Sequence, residues 1–229
     1  MNEIIKVLDH GLVRLVEYMG SDLSIVRNAR VSYDAEWRAG DDEGKDAKLI
    51  NYLLKNKHSS PFEAVTFTFE VKAPIFVFRQ WHRHRTQSYN EISARYAELP
   101  EEYYVPETHL ITTQSTDNKQ MRTSVQNENA ANIREWIAEA SANNFEIYHK
   151  LISLGCPREL ARSVLPVGTY SHMFCTMNLL NLFKFLDLRS HAHAQYEIRV
   201  YAEALLQLIE PIVPVAVQAF KEHWLKLDK

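Results

Sequence analysis

The chain of 229 residues holds only six glycines and no Gly-x-Gly-x-x-Gly run. It therefore lacks the loop with which a Rossmann unit brings backbone up to a dinucleotide pyrophosphate. Its two cysteines, Cys156 and Cys175, stand far apart without C-x-x-C spacing, which argues against a disulfide scaffold or a cysteine-rich zinc site. Both are expected as reduced thiols. No apolar run reaches the about 18 residues a membrane helix needs, and residues 1–15 lack the basic and apolar regions of a signal peptide. A cytoplasmic protein with no membrane partner is expected. Charge of one sign is lacking too: 26 Lys and Arg face 29 Asp and Glu, a net −3. Any anion must then be held by a local cluster rather than by the overall field. With 46% hydrophobic and 24% charged residues, the chain has the makings of a globular core. Single domains reach about 250 residues, so one domain over residues 1–229 is expected.

Along the chain, residues 4–7 and 12–18 read as strands with a turn at His10-Gly11. Ser21 or Asp22 can cap a helix through Leu23, Val26 and Ala29, and residues 39–44 form a polar loop. Ala47, Ile50, Leu53 and Leu54 mark a helix ending near Asn56. The clearest strand lies at 65–72, where alternation puts Val65, Phe67, Phe69 and Val71 on one face. Pro74 suits the first position of a helix through Trp81. Residues 107–127 are polar and irregular, whereas Ile133 to Ile152 forms a long amphipathic helix that Gly155 can end. A short helix spans 157–164, residues 169–177 are β-prone, Asn178 caps a helix through Phe185, and a last helix runs from His193 to Ile209. Strands and helices lack the regular spacing of repeated βαβ units, so the fold class expected is α+β, a mixed or antiparallel sheet with flanking helices.

The chemistry concentrates at residues 79–96, where Arg79, Arg83, Arg85, Arg95, His82 and His84 meet a single carboxylate, Glu91, and no lysine. Like charges about 4 Å apart repel by about 4 kcal/mol near a protein surface, so converging guanidinium groups call for an anion. Guanidinium pairs with phosphate oxygens in a planar fork, which favours a phosphate-bearing ligand. Trp81, Tyr89, Ile92 and Tyr96 interleave the cluster and tie it to the core.

Arg83-His84-Arg85, seven residues, then Ser93 resembles the R-H-R-x7-S signature of flavin-dependent thymidylate synthases. His58-Ser59-Ser60-Pro61-Phe62-Glu63, Arg79-Gln80-Trp81, Ser88-Tyr89-Asn90-Glu91, Ala161-Arg162 and Leu188-Arg189 are similar to the family's pattern, in the same order. The resemblance implies transfer of a methylene group from methylenetetrahydrofolate to C5 of dUMP. Reduced FAD supplies the completing hydride and NADPH reduces the flavin. It implies that dUMP is bound by Gln80, Arg83, Glu91, Ile92, Ser93, Ala94, Arg95, Arg162 and Arg189. Arg95 and Arg162 take the phosphate, and Arg189 faces the pyrimidine as the catalytic residue. Ser60, Arg83, His84, Arg85, Asn90, Glu91 and Asn178 resemble flavin positions, with His58 and His193 nearby. It further implies a homotetramer with sites between subunits. The chain departs from the pattern where many members carry Asn-x-Arg and a polar residue four positions later. Here Asn178-Leu179-Leu180 precedes Lys184, which offers a replacement charge.

Ser93 lacks an adjacent base, so it reads as a binding residue rather than a nucleophile. Neither cysteine lies in the nucleotide motif, so no cysteine nucleophile is expected. Two other readings compete. The His82/His84 and His191/His193 pairs suggest a metal-dependent hydrolase, without a companion carboxylate or an H-E-x-x-H frame. The basic and aromatic residues suggest an RNA-binding module, against the acidic overall charge. No metal and no nucleic-acid partner is expected.

Overall fold

A computed structural model describes residues 3–40 and 44–225; positions 41–43 of the expected polar loop lie outside them. The strands are β1 Ile4–Val7, β2 Gly11–Met19, β3 Thr66–Pro74, β4 Ser88–Glu91, β5 Thr112–Gln114, β6 Arg122–Gln126 and β7 Tyr170–Asn178. The helices are α1 Asp22–Arg30, α2 Lys45–Lys55, α3 Ile75–Trp81, α4 Ala130–Ser153, α5 Arg158–Ala161, α6 Leu179–Arg189, α7 Tyr196–Ile209 and α8 Pro214–His223. Five strands pair in the order β1-β2-β3-β7-β4, every pair antiparallel, and β5-β6 form a separate hairpin. The α+β expectation holds, with the sheet antiparallel throughout.

Alternation in β3 does what its residues dictate. Phe67, Phe69 and Val71, with Val65 just ahead of the strand, are fully buried, and Cys175 and Met173 of β7 lie beside them. Against this face pack α3, α6 and α7, with Trp81 4.6 Å from Phe185 and 6.4 Å from Tyr201 between ring centroids. A second layer of α1, α2 and α8 closes over it, Phe183 stacking on Phe220 at 4.4 Å. The opposite face is polar: Glu70 joins Arg14 and His172, and Thr68 meets Thr176 at 2.9 Å. A smaller apolar cluster of Phe145, Tyr148 and Ala161 seats α4 against α5.

Several boundaries differ from the sequence reading. Pro74 ends β3 and stands one position ahead of α3, its φ of −58° and ψ of 144° being extended rather than helical. The His10-Gly11 turn falls at residues 8–10, with the positive φ at Leu8, while Gly11 opens β2. Gly11 is required for close approach, since a Cβ there would lie 2.1 Å from Tyr201 Oη. The helix expected from His193 begins at Tyr196. Before it, Ala194 N–H donates to His191 O at 2.8 Å and His193 N–H to His191 Nδ1 at 3.1 Å, which holds residues 191–194 in a turn. It is not the last helix, because α8 follows. Residues 107–127, expected to be irregular, contain the β5-β6 hairpin, held across its strands by Thr113 and Thr123 hydroxyls 2.6 Å apart. The caps at Ser21 and Asn178 hold, the latter's Oδ1 accepting from Asn181 N–H at 2.9 Å.

Candidate active site

The basic segment leaves the end of α3, turns through residues 82–87 and returns as β4 along the edge of β7. The turn is pinned by Gln87, whose amide donates to His84 O at 2.8 Å and accepts from Trp81 Nε1–H at 3.1 Å. Because neighbouring strand residues face opposite ways, Tyr89 and Glu91 point to the helix-covered side. Asn90 lies beside Phe174 on the other side, with Glu70. Glu91 accepts from Ser171 Oγ at 2.5 Å. Asn90 is thus placed away from Glu91 within one chain.

Beyond β4 the chain closes a cavity of about 690 Å³ between α3 and α5, whose lining includes Glu91, Ile92, Ser93, Ala94, Arg79, His82 and Arg162. Four consecutive positions of the dUMP segment and the distant Arg162 therefore share one concavity. Arg162 spends only its Nε–H, on Glu159 O at 3.2 Å, and its terminal nitrogens have no partner among the described residues. Arg95 is not among the lining residues and instead pairs with Glu159, which is, at 3.3 Å. Ser93 Oγ accepts from Arg95 N–H at 3.3 Å, a local turn contact with no base beside it. His82 stacks on Tyr89 at 4.2 Å, and its Nε2 is buried without a hydrogen-bond partner. Burial pushes its pKa down, as Arg79 does, while Glu91 opposes them. The sequence reading missed Arg79 and His82 as lining residues, although both stand in the segment that it singled out.

A second cluster forms where α6 ends. Arg189 donates from Nε to His84 Nε2 at 3.0 Å, and its terminal nitrogens reach Gln80 Oε1 at 3.4 Å and Gln80 O at 3.2 Å. Burial and the Arg189 charge push the His84 pKa down to about 4, so the imidazole is neutral and Nε2 keeps the lone pair that accepts. Burial lowers the Arg189 pKa as well, yet a guanidinium stays protonated throughout the working range. His82 and His84 diverge, the first toward Tyr89 and the second onto Phe185 at 4.8 Å. Among the described residues, no group of three His, Cys, Asp or Glu is placed to hold a metal ion, and no helix is long and apolar enough to cross a membrane.

The remaining flavin positions are spread around these clusters. Arg83 and Arg85 are exposed and carry no ion pair among the described residues. His58 and Ser60 are exposed beside the 3-10 turn Ser60–Ala64, which packs on α6 through Phe62 and Phe183. Asn178 commits Oδ1 to capping α6 and keeps its amide donors, and Lys184 is exposed on that helix. Leu180, where many family members carry arginine, is 4% exposed in the core. His193 is exposed in the turn before α7 and lines a cavity of about 540 Å³ with Arg122 and Gln195. Among the described residues no acidic side chain pairs with Arg83 or Arg85, so both guanidinium groups keep the planar donor fork that suits an anion. Cys175 is buried and its thiol pushed up to about 12, while Cys156 is half-buried outside both clusters. Cys175 is not poised as a thiolate.

An antiparallel α+β scaffold that brings Arg79 and Arg162 from two distant segments to line one nucleotide-sized cavity has the form of an anion-binding site of the nucleotide-handling kind. Residues 14–215 match the family model described as thymidylate synthase complementing protein. The chain is 48% identical to the flavin-dependent thymidylate synthase of Treponema denticola, over 97% of this chain and 84% of that one. It is 42% identical to that of Thermotoga neapolitana, over 98% and 97% of the two chains. The crystal structure of a UMP/dUMP methylase, PolB from Streptomyces cacaoi, bound with 5-Br dUMP, superposes with a TM-score of 0.86 at 37% identity, covering 96% and 98%. The chain belongs to the flavin-dependent thymidylate synthase family.

Proposed function

We propose that this chain converts dUMP to dTMP as a flavin-dependent thymidylate synthase. The cofactor is FAD, methylenetetrahydrofolate the carbon donor and NADPH the reductant. The observation that carries the reading is the shared cavity of Glu91, Ile92, Ser93, Ala94 and Arg162, in which Arg162, bonded among the described residues through Nε alone, has its terminal nitrogens available for a phosphate. Arg162 and Arg95 hold the dUMP phosphate, with Arg83 beside them, and the 91–94 turn frames the nucleoside. Arg189, kept in place by Gln80 and His84, faces the pyrimidine. There its fixed positive charge stabilises the uracil as negative charge develops on it, which enriches C5 in electron density. When bound, the reduced flavin supplies the hydride that completes the methyl group and the folate supplies the carbon. Arg83 and Arg85 hold the flavin's phosphates, and His58, Ser60, His84, Asn90, Glu91, Asn178, Lys184 and His193 frame the rest of it.

Arg189, His84 and Gln80 are not among the residues that line the phosphate cavity, and Asn90 and Glu91 point to opposite faces of the sheet. That division supports a homotetramer in which a second copy completes each site. The whole reading is tested by loading purified protein with FAD. The protein should show flavin absorption, bleach on adding NADPH and form dTMP from dUMP only when methylenetetrahydrofolate is present. Protein that takes up no flavin, or that makes no dTMP when loaded, rules it out.

A further inference from the structure

We propose that Glu197 is a positioning residue, which fixes the orientation of Arg189 through a chain of two amides, Gln195 and Gln80. The proposal rests on the reading of Arg189 as the uracil-facing arginine. Glu197 stands in the first turn of α7 and is 4% exposed. Its Oε1 accepts from Tyr104 Oη at 3.2 Å and from Arg122 at 2.9 Å, and its Oε2 accepts from Arg122 at 2.7 Å and from Gln195 Nε2 at 2.8 Å. Arg122 comes from β6 and Tyr104 from the chain before β5, so the carboxylate is clamped from outside its own helix. The other end of Gln195, Oε1, accepts from Gln80 Nε2, and Gln80 presents its own Oε1 and main-chain oxygen to Arg189.

Donor polarity makes this arrangement more than a string of contacts. A carboxylate only accepts and a guanidinium only donates. With Glu197 at one end, the Gln195 amide must turn its NH2 toward the carboxylate and its oxygen toward Gln80. Gln80 must then donate to Gln195, which leaves its oxygen for Arg189. The two charged ends thus select one orientation for both amides, although neither amide carries charge. A neutral amide at 197 removes that constraint. Gln195 can then flip, Gln80 flips in response, and Arg189 meets an NH2 group that it cannot donate to. The same carboxylate ties the β5-β6 hairpin, through Arg122, to the orientation of the arginine about two side chains away.

Two variants test this in the full-length protein loaded with FAD, with the flavin-free protein used for spectroscopy. Glu197→Gln removes the selecting charge. Gln195→Leu cuts the chain but leaves Glu197 with Arg122 and Tyr104, and it alters an exposed side chain ahead of α7. Each is measured for kcat and KM with dUMP, for Tm, and by 15N-histidine NMR of His84 Nε2, which accepts from Arg189 in the wild type. Both variants are expected to lower kcat on the order of tenfold, the scale of one hydrogen bond to a charged group. KM should change little, and the His84 Nε2 resonance should move away from its wild-type position. Adding Glu197→Gln to Arg189→Lys should lower kcat no further. An unmoved His84 resonance and unchanged kcat in folded Gln195→Leu overturn the proposal even if Glu197→Gln fails to fold. A loss of kcat in Glu197→Gln that persists in full in the Arg189→Lys background also overturns it. Wild-type protein that makes no dTMP counts against the functional reading instead, and the NMR comparison still decides the amide chain.

Discussion

Replacing Arg162 by alanine should weaken dUMP binding about 10- to 30-fold while leaving the fold intact. Arg162 is exposed, and its one hydrogen bond, from Nε to Glu159 O at 3.2 Å, is local. Arg162 is the C-cap residue of α5, but its capping hydrogen bonds come from its main-chain N–H, so loss of the exposed side chain costs within about 0.5 kcal/mol, which for a chain of this size moves Tm by no more than about 2 °C. The terminal nitrogens have no partner among the described residues and line the same cavity as Ser93 and Ala94. A hydrogen bond to a charged group contributes about 1.5–3 kcal/mol, and a cavity open to solvent puts the value in the lower half of that range. At about 1.4 kcal/mol per tenfold, 1.5–2 kcal/mol corresponds to the loss stated. Isothermal titration with dUMP and with deoxyuridine isolates the phosphate, because only dUMP carries it. The variant should reduce the preference for dUMP over the nucleoside by that factor and leave nucleoside affinity unchanged. Equal losses for both ligands, or none for either, would refute the placement of Arg162 at the phosphate.

Arg95→Ala should act in the same direction with a smaller effect, since its guanidinium already faces Glu159 at 3.3 Å; a loss larger than that of Arg162→Ala in the same titration contradicts this. His84, held at about 4 against an ordinary 6.5, refuses a proton that the unfolded chain takes up. Its contribution to stability is therefore complete above pH 6.5 and falls away as pH drops from 6.5 toward 4. NMR should find the ring neutral at pH 5.5, and a midpoint near 6.5 would show that Arg189 and burial do not govern it. Gly11→Ala would put a methyl 2.1 Å from Tyr201 Oη and 2.4 Å from Val7 O. It should cost about 3 kcal/mol, the upper range for overpacking, or about 6–12 °C in Tm; a change under 2 °C would mean that the strand start yields freely. Changing Cys156 to serine and Cys175 to alanine should leave dTMP formation largely unaffected, and a folded but inactive double variant would reinstate a thiolate mechanism.

The legible parts of the fold were those whose burial pattern has a single period. Alternation over residues 65–72 identified β3 because one of its faces lies entirely under helices, and the polar Thr68, Glu70 and Lys72 fall on the other. β4 was not legible. Ser88 to Glu91 carries no apolar alternation, and it is a strand only because β7 offers a free edge beside it. The β5-β6 hairpin escaped for the same reason, its main-chain pairing being backed by a contact between threonine hydroxyls rather than by a buried face. The last helix is a different case. Ala216, Val217 and Phe220 are all buried at helical spacing behind Pro214, which opens the helix, so its signal is present in the residues.

At the site, the difference between what could and could not be read is one of range. Residues 91–94 and Arg162 stood in motifs, and the structure gives them one cavity. Leu180 marks the limit of carrying a motif across: the sequence flags a departure, but only packing shows that the position belongs to the core here, which leaves the exposed Lys184 as the cation on that helix ahead of Arg189. Glu197 lay beyond reach of any local pattern, because its partners are 93 and 75 positions away at Tyr104 and Arg122. A carboxylate in the first turn of a helix reads from sequence as a favourable charge near the helix N-terminus. Only the converging donors turn it into the group that decides which way two amides point, and hence how the arginine at the end of α6 is held.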